Sequence, residues 1–311
     1  MKKILVVDKM HESITDSLAN AGFCCDYQPA IDRKGILSII DKYEGMFIRS
    51  KTPIDQELIF AATKLEFVCR AGAGIDQIDT KLLGRKGIAL YNAPEGNRDA
   101  LGEHAVGMLL SVLHKIHSSD KEIRSKEWRR EPNRGIELKN KTVGIYGFGF
   151  MGSSFAEKLS GFSCNVIAYD KYKRGFGTAK CREVTLNEFL SLTEILSIHV
   201  PLTPETNKLF DYRFISEFKK LKVVMNTARG EVLVLKDLLR LLNEEKLQGA
   251  AFDVLENEKF PNYTKEEITV FNELAGKPNV LFTPHVAGWT FESYERINRV
   301  LIEKITATNH A

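Results

Sequence analysis

The sequence predicts an α/β protein made of two doubly wound parallel-sheet domains, and three observations carry that prediction. Short apolar runs alternate with amphipathic segments along almost the whole chain, the pattern of parallel strands joined by helices. The alternation restarts after a long helical stretch. The second series then opens on a strand, a glycine turn and a helix in succession. At 311 residues the chain is also too long for one ordinary core and fits two.

In the first series "KILVVD", "FCCDY", "GMFIRS", "LEFVCRA" and "IALYNA" read as strands, separated by helical patterns such as "ESITDSLANAG" and "KGILSIIDKY". One helix is expected from about Arg98 to Lys126, with the charged loop "KEWRREPNRGIEL", closed by Pro132 and Gly135, as the connection between units. The second series runs through "KTVGIYG", "NVIAYD", "ILSIHV", "KVVMNT", "GAAFDV" and "NVLFTPH". Phosphorelay receiver domains open much like "KKILVVDK", but they need an acidic cluster after the first strand. Lys9 and Met10 follow Asp8 here, which excludes that reading.

Composition narrows the partners. Apolar residues make up 43% and charged residues 27%, as in folded globular proteins. A formal charge of +3 on 44 basic and 41 acidic residues is too balanced for a nucleic-acid binder. The N-terminal apolar run, Ile4 to Val7, is cut by Asp8, so no signal peptide is expected, and no stretch approaches bilayer length. Five cysteines without a CxxC pair suit a reducing cytoplasm better than a disulfide framework or a zinc site, and no metal is expected.

"VGIYGFGFMGSSF" places Gly147, Gly149 and Gly152 in a G-x-G-x-x-G spacing between an apolar strand and a helical segment. The first glycine permits a tight turn, the second lets backbone approach a pyrophosphate, and the third lets the helix pack on the strand. The N–H groups of Phe150 and Met151 would face the phosphates, aided by the helix dipole. Asp170 ends the next strand, eighteen positions after Gly152. A carboxylate there accepts from the ribose hydroxyls of NAD and repels the 2′-phosphate of NADP. Lys171, Lys173 and Arg174 follow it and could soften that discrimination. NAD is the expected cofactor.

Moving a hydride at C2 of a 2-hydroxy acid also needs a carboxylate clamp, a proton shuttle and a group that tunes the shuttle. "NTARGEVL" puts Arg229 on the turn after a strand, where open α/β sheets bind ligands, and guanidinium suits bidentate carboxylate recognition. "GAAFDVLENE" supplies Asp253 at a strand end and Glu258 five residues later, and "LFTPH" brings His285 after the following strand. Histidine titrates near neutrality, and a carboxylate beside it fixes its tautomer. Taken singly, Arg229 also fits a surface arginine, Glu258 a solvated charge and His285 a packed loop residue.

Through "RAGAGID", "NAPEGN", "GEHAVGMLL", "GFGFMG", "HVPLTPET", "NTARGEV", "AAFDVLENE" and "TPHVAGWT" the chain resembles the NAD-dependent D-2-hydroxyacid dehydrogenases over nearly its whole length. The resemblance implies a Rossmann NAD-binding domain over 101–284. It also implies a flavodoxin-like substrate domain in two pieces, 1–100 and 285–311. It implies that Arg229 binds the substrate carboxylate and that Glu258 pairs with His285, the acid/base. Lys259 follows Glu258 where the family usually has proline, a departure that concerns the loop. It further implies that His199, Pro201 and Thr206 border the adenosine ribose and that Thr227 and Ala228 bring backbone near the nicotinamide ribose. Asp253 and Gly288 would orient the carboxamide. His199 and Thr206 equally fit a polar strand-to-loop transition. Trp289 fits either a site cover or a packing anchor.

Substrate choice is expected to lie in the first domain's loops. Arg49, Ser50 and Lys51, and Arg70 ahead of the glycine-rich turn that ends at Gly74, are similar to segments of family members that oxidise D-3-phosphoglycerate. In those members such residues meet carboxylate and phosphate. "KEWRRE" is similar too, and its Arg129 or Arg130 would reach a partner subunit's site. Lys51 and Arg130 equally fit exposed loop charges. A dianionic phosphate needs more than one cation. The resemblance thus implies NAD-dependent oxidation of D-3-phosphoglycerate at the start of serine synthesis, in a cytoplasmic homodimer without a C-terminal regulatory domain. Two alternatives stay open. One is another D-2-hydroxyacid dehydrogenase, acting on glyoxylate, hydroxypyruvate or D-lactate; the other is an NAD-sensing, corepressor-like binding protein.

Overall fold

A computed structural model of the chain describes residues 1–309. The chain divides into two compact units, Met1–Arg98 together with the segment from Trp289 onward, and Asp99–Gly288.

The first unit runs β1 (Lys3–Val6), α1 (Ser13–Asn20), β2 (Cys24–Tyr27), α2 (Arg33–Ile39), β3 (Gly45–Ile48), α3 (Gln56–Ala61), β4 (Phe67–Arg70), α4 (Thr80–Arg85) and β5 (Ala89–Asn92). All its strands pair in parallel, in the order β2-β1-β3-β4-β5, the flavodoxin-like arrangement. The two-residue period of the strands sorts side chains onto opposite faces. Leu5, Val7, Met46, Ile48 and Val68 face one core, and Ile4, Val6, Phe47, Phe67 and Cys69 the other. Asp32, Asp55 and Asp79 cap α2, α3 and α4, each carboxylate accepting a first-turn N–H. The chain's last helix, Phe291–Asn309, returns to this unit, where Ile297, Leu301 and Ile305 pack with Ile14 and Leu18.

Helix α5 (Pro94–Leu113) carries the chain from the first unit into the second. There follow α6 (Ile116–Arg124), β6 (Thr142–Tyr146), α7 (Phe150–Lys158), β7 (Asn165–Tyr169), β8 (Arg182–Glu183), α8 (Leu186–Leu192), β9 (Ile195–Ile198) and α9 (Tyr212–Ser216). Then come β10 (Val223–Asn226), α10 (Leu235–Asn243), β11 (Gly249–Phe252), α11 (Lys265–Ala275) and β12 (Val280–Phe282). The parallel sheet is ordered β12-β11-β10-β9-β6-β7-β8, a Rossmann arrangement whose strand order reverses between β6 and β9. Val143, Ile145, Val166, Ala168, Val223, Met225 and Ala251 line one face, and Ile167, Leu196, Ile198, Val224, Ala250 and Phe252 the other. Ligands of such sheets bind beyond the carboxyl ends of the strands at that reversal.

Two expectations need correction. The helix expected to reach Lys126 is two helices: Lys115 stands at φ 54°, in the left-handed region, and ends the run. The Ile136 N–H donates to the Leu113 carbonyl at 2.9 Å, and Gly135 packs against His114, so the break is tied off by the loop that follows. That loop, "KEWRREPNRGIEL", lies inside the second unit and joins nothing to the first, because the chain crosses within α5. The divisions fall at Arg98/Asp99 and Gly288/Trp289, a few residues from the expected boundaries at about Ala100 and His285, and the small shift puts His285 with the second unit. β8 was not foreseen; two residues are too few to leave a periodic signal.

Candidate active site

The glycine turn follows β6. Gly147 stands at φ +96°, and a Cβ there would lie 2.7 Å from the His199 carbonyl oxygen; one on Gly152 would lie 2.2 Å from the Gly147 carbonyl oxygen. A side chain at Gly152 would push α7 off the strand, and one at Gly147 would strike the backbone that follows β9. Gly149, which precedes Phe150 and Met151 at the start of α7, has open space where its Cβ would be. Backbone N–H groups at a helix start facing open space suit a dinucleotide pyrophosphate. Asp170, just beyond β7, accepts from the N–H groups of Phe148 at 2.8 Å, Tyr172 at 2.9 Å and Lys173 at 3.0 Å. Burial raises its pKa, but these bonds and the Lys173 charge outweigh burial and hold the carboxyl below its ordinary value.

Beyond β10, buried Asn226 shapes the Arg229 turn: its amide donates to the Arg229 carbonyl at 2.8 Å and its Oδ1 accepts from the Ala228 N–H at 3.0 Å. Sequence reasoning passed over Asn226, although an asparagine at a strand end, three residues before the arginine of the turn, was a readable signal. The Arg229 guanidinium donates to the Ala228 carbonyl at 2.6 Å. At Gly230 a Cβ would lie 1.9 Å from the Leu255 carbonyl oxygen, so the turns after β10 and β11 touch backbone to backbone. That contact sets Arg229 beside the loop bearing Glu258. Gly230→Ala is therefore expected to separate the two turns and lower stability by about 2–4 kcal/mol, as overpacking against rigid backbone does. A thermal melt within a degree of the parent would contradict this.

His285 follows β12 and meets Glu258 through Nδ1, 2.9 Å from Oε1 and 3.1 Å from Oε2. The hydrogen bond to His285 is the largest cause holding the Glu258 carboxyl below its usual range; the positive charge of Arg229 acts in the same direction. Both partners are about half exposed, as groups that must meet a ligand have to be. His285 stands at φ 54°, unusual for a non-glycine residue, and such strain persists only where the surroundings enforce it. Here the enforcing group is Asp253. Its carbonyl accepts from the His285 N–H at 2.7 Å. Its carboxylate accepts from the Val286 N–H at 2.9 Å, the Ala287 N–H at 2.8 Å and the Thr283 hydroxyl at 2.5 Å. Thr283 in turn lies 3.1 Å from His104 Nε2 on α5. Asp253 thus holds the loop from Thr283 to Ala287, with Gly288 at its end, and both its oxygens already accept from protein groups.

The remaining expected cofactor residues divide. His199 bonds Ser197 at 2.8 Å through Nε2, while its Nδ1 is buried without a partner; burial pulls its pKa down to about 3, so the ring is neutral. The Thr227 hydroxyl is likewise buried and unpartnered among the described residues, next to Ala228 on the Arg229 turn. Both are unused polar groups around the reversal point. The Thr206 hydroxyl instead donates to the Pro201 carbonyl at 2.6 Å and accepts from the Thr203 N–H at 2.8 Å, closing its own turn.

In the first unit the Arg49 guanidinium lies 4.1 Å from the centre of the Trp289 ring and 5.2 Å from that of Tyr294, so Trp289 is a platform for a cation. Ser50 is exposed beside it. Lys51 donates to the carbonyls of Pro29 and Ile31. Arg70 folds back over the turn from Gly72 to Gly74, its Nη1 3.1 Å from the Ala71 carbonyl. Arg129 belongs to the second unit, where it pairs with Glu122 at 2.5 Å and Glu127 at 3.2 Å, while neighbouring Arg130 is exposed.

Residues 106–287 match the NAD-binding domain of D-isomer specific 2-hydroxyacid dehydrogenases. The chain is 31% identical over 305 residues to a D-3-phosphoglycerate dehydrogenase of Archaeoglobus fulgidus, covering 97% of this chain and 56% of that protein. It is 31% identical over 310 residues to the D-3-phosphoglycerate dehydrogenase of Methanocaldococcus jannaschii, covering 98% and 57%. It spans little more than half the length of these curated relatives. The crystal structure of D-lactate dehydrogenase from Aquifex aeolicus, complexed with NAD and lactic acid, is similar with a TM-score of 0.84 at 25% identity, covering 99% of this chain and 95% of that one. No helix among the described residues is long and apolar enough to cross a membrane. Fold, strand order and sequence agree: the chain belongs to the D-isomer specific 2-hydroxyacid dehydrogenases and carries the NAD-binding domain of that family.

Proposed function

We propose that the chain oxidises D-3-phosphoglycerate to 3-phosphohydroxypyruvate. The observation that carries the reading is the Glu258–His285 pair beside Arg229 at the carboxyl ends of the Rossmann strands. NAD⁺, when bound, accepts the hydride from C2. Glu258 on Nδ1 keeps a proton on that nitrogen, which leaves Nε2 free to take the hydroxyl proton. The carboxylate also stabilises the imidazolium once it forms. Arg229 holds the substrate carboxylate through paired N–H donors and draws charge from the carbonyl as it forms. Arg49, on the loop after β3, and Arg70, at the end of β4, are the candidates for the second anionic group, and Ser50 and Gly74 flank them.

The substrate reading is supported by the two curated relatives named D-3-phosphoglycerate dehydrogenase. The solved relative that binds lactic acid keeps a second reading open, a dehydrogenase of unphosphorylated acids. A second copy of the chain is the proposed partner. Ile123 on α6 and Trp128 just after it are 50% and 81% exposed, large apolar groups of the kind a homodimer covers.

The test measures NADH oxidation with 3-phosphohydroxypyruvate, hydroxypyruvate, glyoxylate and pyruvate as competing substrates, because the oxidation itself runs uphill. A kcat/KM at least about 100-fold higher for the phosphorylated acid is expected from the gain of a charge-assisted pair. Equal turnover of hydroxypyruvate would retain the dehydrogenase and sink the phosphoglycerate assignment.

A further inference from the structure

Asp170 is the acid expected to select NAD over NADP, yet three backbone N–H groups already bond to it. A carboxylate offers about four acceptor positions, so little capacity remains for two ribose hydroxyls. Three cations follow within four residues: Lys171, Lys173 and Arg174. Lys173 Nζ donates to the Phe148 carbonyl at 3.0 Å, and Arg174 Nη1 donates to the carbonyls of Asp170 at 2.7 Å and Lys173 at 2.6 Å. Main-chain carbonyls fix where these two cations sit without cancelling their charge. Among the described residues Lys171 is the one of the three whose side chain forms an ion pair: Glu205 takes both its ammonium and the Tyr172 hydroxyl. Glu205 comes from the turn after β9, which Thr206 and Thr203 close. Two loops that follow neighbouring parts of the sheet are therefore clasped through one carboxylate.

We infer that Glu205 is a second determinant of cofactor choice, acting by neutralising Lys171 at the edge of the adenosine ribose site. With Glu205 in place the cations beside Asp170 exceed the acids by one; without it they exceed by two, and Lys171 is free to turn toward an added phosphate. A dianionic 2′-phosphate gains from that change, whereas the uncharged 2′-hydroxyl of NAD does not. Tyr172, 78% exposed, is held in the same clasp because its hydroxyl donates to the same carboxylate.

Tryptophan-fluorescence or calorimetric titration of the full chain with NADH and NADPH tests this without turnover. In Glu205→Gln, NADPH is expected to bind roughly tenfold more tightly while NADH changes less than about twofold, a shift that shrinks as salt screens exposed charges. The Glu205 and Lys171 side chains are 44% and 54% exposed, so both positions accept substitution without loss of fold. Adding Lys171→Ala to Glu205→Gln should abolish the gain. An unchanged NADPH-to-NADH affinity ratio in the single variant would overturn the inference, and so would a gain that survives removal of Lys171.

Discussion

His285→Asn is expected to lower kcat by about 10³-fold, the range that a positioned acid/base contributes, while NADH affinity stays within twofold. Asparagine is the informative replacement because position 285 stands at φ 54°. Asparagine tolerates the left-handed region better than glutamine or alanine, so the loop keeps its course and the loss reports on the proton. Asn also cannot reproduce a ring that meets Glu258 through one nitrogen and keeps a second to exchange the proton. Stopped-flow single turnovers would separate chemistry from product release. A kcat within tenfold of the parent would remove His285 from the role of acid/base.

Arg229→Gln should reduce kcat/KM by about 10³-fold, because truncating one partner of a charge-assisted carboxylate pair costs several kcal/mol. The loss should appear in both parameters: KM rises as the clamp is removed, and kcat falls as the carbonyl loses a donor that strengthens in the transition state. The turn itself is held by Asn226, whose bonds go to the Arg229 carbonyl and the Ala228 N–H, so a glutamine leaves its backbone anchored. An unchanged melting curve beside the kinetic loss would separate the two effects. A rise in KM alone, with kcat intact, would mean that Arg229 binds the substrate without activating it.

Sequence alone exposed the sheets well because their strands are buried on both faces. "VVM", for example, is an apolar run bounded by Lys222 and the polar Asn226, and all of it is buried. Arg229, Glu258 and His285 were readable because each follows a strand that periodicity had already placed. Less visible were effects carried by single backbone torsions and by polar groups that serve other residues. Nothing in "VLHKIHSS" marks Lys115 as left-handed, since the apolar spacing continues through it. The bonds of Asp253 run to the loop after β12, a use that depends on β11 and β12 being neighbours and that spacing along the chain does not reveal. The partners of Thr206, by contrast, lie within its own turn, a role that residue type alone does not announce. The Glu205 clasp joins residues more than thirty positions apart and has no local signature.

The outermost strands of the seven-stranded sheet are its shortest, two residues in β8 and three in β12. An edge strand offers unpaired main-chain donors and acceptors to any other chain, and the hazard grows with the length of the edge. Ending the sheet in such stubs leaves little template for edge-to-edge growth. In concentrated solutions of the folded protein this sheet should therefore resist amyloid-like association, and aggregates that form from it on heating should arise from its opened interior strands, which are longer and mostly apolar.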